Sequence, residues 1–211
     1  MLERVVVFLD YQNVYKGARS AFHDHWEPHW QGQINPVELA EHLAQDSPFD
    51  RELAQVRVYR GQPVNDRDAK GYAASRRQHS KWENDPRLLL ITRPLRYPVG
   101  WPDSSKPGEK PGEKGIDVAL TMDFAVMAVR EEYDVGIMFS TDTDLKPALE
   151  FVASLSRPSN AGRPRPEVAA WSADGQHNRR LSITQRSLYC HWVGKDIYQR
   201  IQDTTNYTQP S

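Results

Sequence analysis

The sequence is poor in the residues that cross-link a fold or hold a soft metal. It contains one cysteine, Cys190, which excludes an internal disulfide and a cysteine-based zinc site and suits a reducing compartment. It lacks any apolar run approaching the length that spans a bilayer. Met1-Leu2-Glu3-Arg4-Val5 passes straight into a strand-like run, without the charged-then-apolar layout of a leader. A soluble cytoplasmic protein with no membrane role is the expectation. An excess of charge is also missing: 27 Lys and Arg face 28 Asp and Glu, for a net charge of −1. No global field draws in nucleic acid, so any basic footprint must be local. His23, His25 and His29 cluster with Trp26 and Trp30, but the spacings of strong zinc sites are absent. Residues 14–34 read as a surface loop with aromatic contacts.

What is present is an alternation of strand and helix patterns. The 211 residues suffice for one α/β domain, expected over residues 1–202, with a frayed polar tail at 203–211. Val5-Val6-Val7-Phe8-Leu9 is continuously apolar and mostly β-branched, the pattern of a central parallel strand buried on both faces. Further strands are read at 55–61, 88–92, 134–139 and 167–171, with a short strand or buried turn at 188–192. Asn35-Pro36 opens a helix, with Asn as its cap and Pro at its first position. Helices are also read at 66–82, 115–130, 145–155 and 194–201, with a short helical return near Asn178-Arg179-Arg180-Leu181. The fold class that follows is α/β: a mostly parallel sheet of about five to six strands with helices on both faces.

Residues 98–114 repeat Lys-Pro-Gly-Glu, which forms neither helix nor interior strand. A mobile loop or hairpin tip is expected there, either without a role or as a flap. The helix at 66–82 carries Arg76 and Arg77 in a basic stretch. They are read either as a solvated face or as phosphate contacts.

The chemistry concentrates in acids at strand and helix ends. The first strand ends at Asp10, followed by Asn13. The strand at 134–139 runs into Ser140-Thr141-Asp142-Thr143-Asp144. In a parallel sheet both ends lie on one edge, and a crevice opens between them if the chain order reverses there. Each acid also has a plain structural reading, since Asp and Ser cap helices. Asp117 sits in the first turn of a helix, where it would favourably meet the helix dipole. It is expected at the opposite edge if that helix is an ordinary crossover, unless its first turn overhangs the acidic edge. Asp123, about 240° further round that helix, is a secondary candidate. Carboxylates crowded in this way repel unless a cation joins them, and oxygen ligands without His or Cys select Mg²⁺ or Mn²⁺. Phosphodiester hydrolysis is the chemistry that fits. Asn13, Ser140 and Thr141 would orient groups, and Lys114 would contact phosphate.

Three blocks carry a resemblance: Phe8-Leu9-Asp10-Tyr11-Gln12-Asn13, Lys114-Gly115-Ile116-Asp117-Val118-Ala119-Leu120-Thr121-Met122-Asp123, and Phe139-Ser140-Thr141-Asp142-Thr143-Asp144-Leu145. In this order they resemble the NYN domain, one of the PIN-like, flap-nuclease-like metal-dependent nucleases, over roughly residues 4–192. The resemblance implies an acidic pocket binding Mg²⁺ or Mn²⁺ and cleavage of RNA in processing or decay. It implies Asp10, Asp117 and Asp142 as metal ligands, Asp144 as a fourth acid or a group supporting the ligands from behind, and Asn13 as an orienting residue. A second copy of the chain or a protein regulator stays open as a partner. Two other readings stand beside a ribonuclease. A haloacid-dehalogenase-like phosphatase would carry a second acid where Gln12 stands. A silent RNA- or protein-binding module would keep the same acids.

Overall fold

The structure is a computed structural model and describes residues 2–103, 108–157, 162–173 and 179–209. The elements in chain order are β1 (Glu3–Asp10), α1 (Tyr11–Phe22), α2 (Pro36–Gln45), β2 (Arg51–Gln62), α3 (Ala69–Trp82), β3 (Leu88–Pro94) and α4 (Ile116–Val129). There follow β4 (Val135–Phe139), a 3-10 turn (Thr143–Leu145), α5 (Lys146–Leu155), β5 (Arg165–Trp171), β6 (Cys190–Val193) and α6 (Lys195–Ile201). The six strands form one sheet in the order β3-β2-β1-β4-β5-β6, and every pairing is parallel. This is an α/β fold, as the strand patterns predict. No described helix is long and apolar enough to cross a membrane.

The alternation within β1 sorts the core. Val5, Val7 and Leu9 face a cluster with Val14 of α1, Leu39 and Leu43 of α2, Trp82 of α3 and Tyr198 of α6. Val6 and Phe8 face the opposite cluster, with Leu120 and Phe124 of α4 and Leu149 and Val152 of α5. Because β1 buries both faces, it can carry a functional residue only where it ends. Asn35 caps α2 as its sequence predicts, its Oδ1 accepting from Val37 N–H at 3.0 Å.

At the amino edge of the sheet Arg51, buried, donates to Glu167 at 2.7 and 3.0 Å and to Glu3 at 3.2 Å. Arg165 donates to the same two carboxylates, and His191 reaches Glu167 at 2.8 Å. Charge at this edge is spent on internal pairing, which leaves the carboxyl edge as the one with unneutralised acid.

Three expectations change. Residues 14–34 are not a loop throughout, because residues 11–22 form α1. Only Tyr11, Val14 and Ala18 of α1 are buried; the helix is polar on average but clearly one-sided, so its period was legible and was passed over beside the His and Trp residues that follow it. Residues 179–189 form no helix, and Asn178 lies outside the described residues. Residues 203–209 of the tail read as frayed lie along α3: Lys81 pairs with Asp203 at 3.3 Å, and Tyr207 O–H donates to Asp203 Oδ2 at 2.5 Å; residues 210 and 211 lie outside the described residues.

Candidate metal-binding acidic cleft

The register of the sheet builds the cleft. Leu9 pairs with Phe139, so β1 and β4 end side by side where the strand order reverses, the usual place for a site in an open α/β sheet. Asp10 follows at once and is buried. Its Oδ1 accepts from Asn13 N–H at 3.2 Å and its Oδ2 from the Ser140 hydroxyl at 2.9 Å. Ser140 Oγ in turn accepts from Asp142 N–H at 3.0 Å. Asn13 Oδ1 accepts from both Thr141 N–H, at 3.1 Å, and the Thr141 hydroxyl, at 2.8 Å. The start of α1 and the loop after β4 are thereby bonded to each other.

Asp117 reaches the same edge. A crossover helix runs antiparallel to its strands, so α4 begins at the carboxyl edge that β3 has just reached. The expectation that an ordinary crossover would carry Asp117 to the opposite edge is therefore corrected. Gly115, with φ 75°, turns the chain into α4 in a left-handed conformation.

Together Asp10, Asn13, Asp117, Thr141 and Asp142 line a cleft of about 440 Å³, joined by Gln12, Lys16, Gly17 and Glu113. The electrostatics are those of an under-neutralised site. Burial, with the charges of Glu113 and Asp117 adding to it, pushes the Asp10 carboxyl up to about 6 against the hydrogen bonds from Asn13 and Ser140. Asp117 is also raised, first by burial and then by Asp142 and Asp144. Glu113 is raised by burial, in spite of the Gly61 N–H it accepts and the nearby charge of Arg60.

The acids share the cleft without converging. Among the described residues no three His, Cys, Asp or Glu side chains gather closely enough to hold an ion by protein ligands alone. Two of the expected ligands have local duties among the described residues. Asp10 caps α1, and Asp142 Oδ1 accepts from Asp144 N–H at 3.0 Å to cap the 3-10 turn. The metal-binding donors of the lining are oxygens, with no His or Cys, which fits a hydrated Mg²⁺ or Mn²⁺ that keeps several waters and takes one or two carboxylates plus substrate oxygens. The lining does not fit a closed cage.

Other predicted residues lie apart. Lys114 is exposed and lines a neighbouring depression of about 870 Å³ with Arg96, Tyr97 and Glu109. Asp144 is exposed beside the cleft. Arg76 and Arg77 line a separate depression with the tail, where Arg77 Nε donates to the Tyr207 carbonyl at 2.9 Å. Asp123 is paired with Arg57 at 2.7 Å and accepts from Tyr59 O–H at 2.8 Å, on the flank of the sheet. Sequence reasoning passed over Glu113 and Lys16. Glu113 lies hidden in the Lys-Pro-Gly-Glu repeat, next to Gly112, which forms an isolated antiparallel bridge with Arg96. Lys16 had a readable signal, standing one helical turn after Asn13 on the same face of α1.

The sequence pattern of the NYN domain family matches residues 4–157. Among solved structures, a protein of unknown function from Vibrio parahaemolyticus is similar to this chain at 16% identity and a TM-score of 0.48, covering 92% of this chain and 94% of its own. No curated protein matches the sequence.

Proposed function

This chain belongs to the NYN domain family, a nuclease-like family, and on that premise we propose that it is a metal-dependent endoribonuclease acting at the acidic cleft. The observation that carries the reading is the set of four carboxylates, Asp10, Glu113, Asp117 and Asp142, around one cleft at the strand switch, with Lys16 beside them. Mg²⁺ or Mn²⁺ held there by Asp10, Asp117 and Asp142 with water would offset phosphate charge and make water a better nucleophile. The chain's own groups do the rest. Ser140 fixes the Asp10 carboxylate through its hydroxyl. Asn13 and Thr141 hold the two sides of the cleft at constant separation. Lys16 offers a point charge to a backbone phosphate, and exposed Lys114 a second one at the rim.

The test is incubation of the protein with labelled single-stranded RNA, with Mn²⁺ and with chelator, beside Asp142→Asn. Cleavage that needs metal and is lost in the variant supports the reading. Phosphate release from small monoesters with intact RNA would replace it with a phosphatase. The non-convergent carboxylates favour one second reading, a module that binds RNA without cutting it, and RNA retention without cleavage under every metal condition would establish that instead.

A further inference from the structure

A smaller pocket of about 250 Å³ adjoins the acidic cleft and shares Gln12, Lys16 and Glu113 with it. It holds two opposite charges, Arg60 and Glu113, which attract each other without forming a direct ion pair among the described residues. The Arg60 guanidinium lies 5.0 Å from the Tyr11 ring centre and 5.5 Å from that of Trp82, against both rings. It donates to Gln78 Oε1 at 2.7 Å and has no other hydrogen bond or ion pair among the described residues. Most of its N–H groups therefore have no protein acceptor among the described residues and are open to solvent or a ligand in the half-buried pocket. Gln78 is not free to turn away, since its Nε2 donates to Gln33 Oε1 at 2.7 Å. Glu113 enters from the other side, one oxygen accepting the Gly61 N–H at 2.5 Å. It does not pair with Arg60. Tyr11, Tyr15, Leu95 and Pro111 complete the wall with apolar surface.

We propose that this pocket is a guanine subsite for the nucleotide next to the phosphate in the acidic cleft. Guanine offers an edge of acceptors for Arg60 and, adjacent to it, N–H donors for the free oxygen of Glu113, and its flat faces suit tyrosine and proline walls. A phosphate would satisfy Arg60 but would be repelled by Glu113. Adenine would set an amino group against the guanidinium. Lys16, which borders both spaces, suits the phosphate that links them. Calling the ligand a base of RNA rests on the ribonuclease reading, whereas the recognition of guanine does not depend on cleavage.

The experiment is calorimetric titration of the full chain, metal-free, with guanosine, adenosine, uridine, cytidine and inorganic phosphate. Guanosine is expected to bind at least about tenfold more tightly than the other nucleosides. Arg60→Lys should lose that preference, because a point charge cannot reproduce the planar fork. A thermal melt confirms that the variant is folded, and the wild-type nucleoside series decides alone if it is not. Equal binding of all four bases, binding of phosphate in place of guanosine, no binding, or full retention of preference by Arg60→Lys would overturn the subsite. RNA cleavage without guanosine binding would sink the subsite and spare the nuclease. Guanosine binding without cleavage would do the reverse.

Discussion

Replacing Asp10 by asparagine should stabilise the metal-free protein while destroying its proposed activity. The wild-type carboxyl is raised from 3.8 to about 6, first by burial. Its folded pKa lies above its unfolded one, so folding favours the protonated form. Below about pH 4 both states carry the proton and there is no penalty. As pH rises through about 6, the folded state must hold a buried charge, and stability falls by about 3 kcal/mol in all. Asparagine carries no charge but exchanges one oxygen of the Asn13 and Ser140 hydrogen bonds, which costs about 1 kcal/mol. The net gain near neutrality is about 2 kcal/mol, or about 4–8 °C in melting temperature for a chain of this size. Urea melts of both proteins in chelator, from about pH 4 to about pH 7, would show it as a difference that grows with pH. A difference that stays flat, or an asparagine variant that is less stable throughout, would refute the claim that Asp10 is held in the cleft as an uncompensated buried charge. Added Mn²⁺ should then raise the stability of the wild type more than that of the variant, since a ligand stabilises only the state that binds it.

Glu167 gives the opposite pH behaviour. Burial alone would raise its carboxyl, but hydrogen bonds from His191 and Arg51 and their charges outweigh burial and hold it at about 2. The associated stability is complete above about pH 4.5 and is lost as pH falls toward 2. Glu167→Gln should flatten that acid transition and cost about 3–5 kcal/mol near neutrality, because Arg51 stays buried with less compensation; an unchanged melt would mean that the network is idle. Gly136→Ala would place a methyl 2.8 Å from the rings of Phe124 and Tyr133, and chemical denaturation should register a loss of about 1–3 kcal/mol. Asn13→Ala removes the acceptor for both Thr141 donors. It should slow RNA cleavage by much more than the roughly 1 kcal/mol it takes from stability, and equal losses in both would make Asn13 merely structural.

Local pattern was enough for much of this protein. The apolar run Val5–Leu9 announced a doubly buried strand, Asn35-Pro36 a capped helix, and the alternation a parallel sheet, because period, capping and chain breaking are properties of a few adjacent residues. The acids at the ends of β1 and β4 were readable for the same reason, once both strands were taken as parallel neighbours. Other features depended on distant partners. Gly17 of α1 is explained only by the Trp171 ring 2.8 Å from where a Cβ would stand. Asp117 joins the acidic edge through the direction of α4, and Asp123 is withdrawn by Arg57. Glu113 follows Gly112, whose antiparallel bridge to Arg96 joins residues far apart in the chain beside the cleft. Whether a carboxylate caps a helix, pairs with arginine or stands unneutralised in a cleft depends on what strand order and register bring beside it, and those contacts are between residues far apart in the chain.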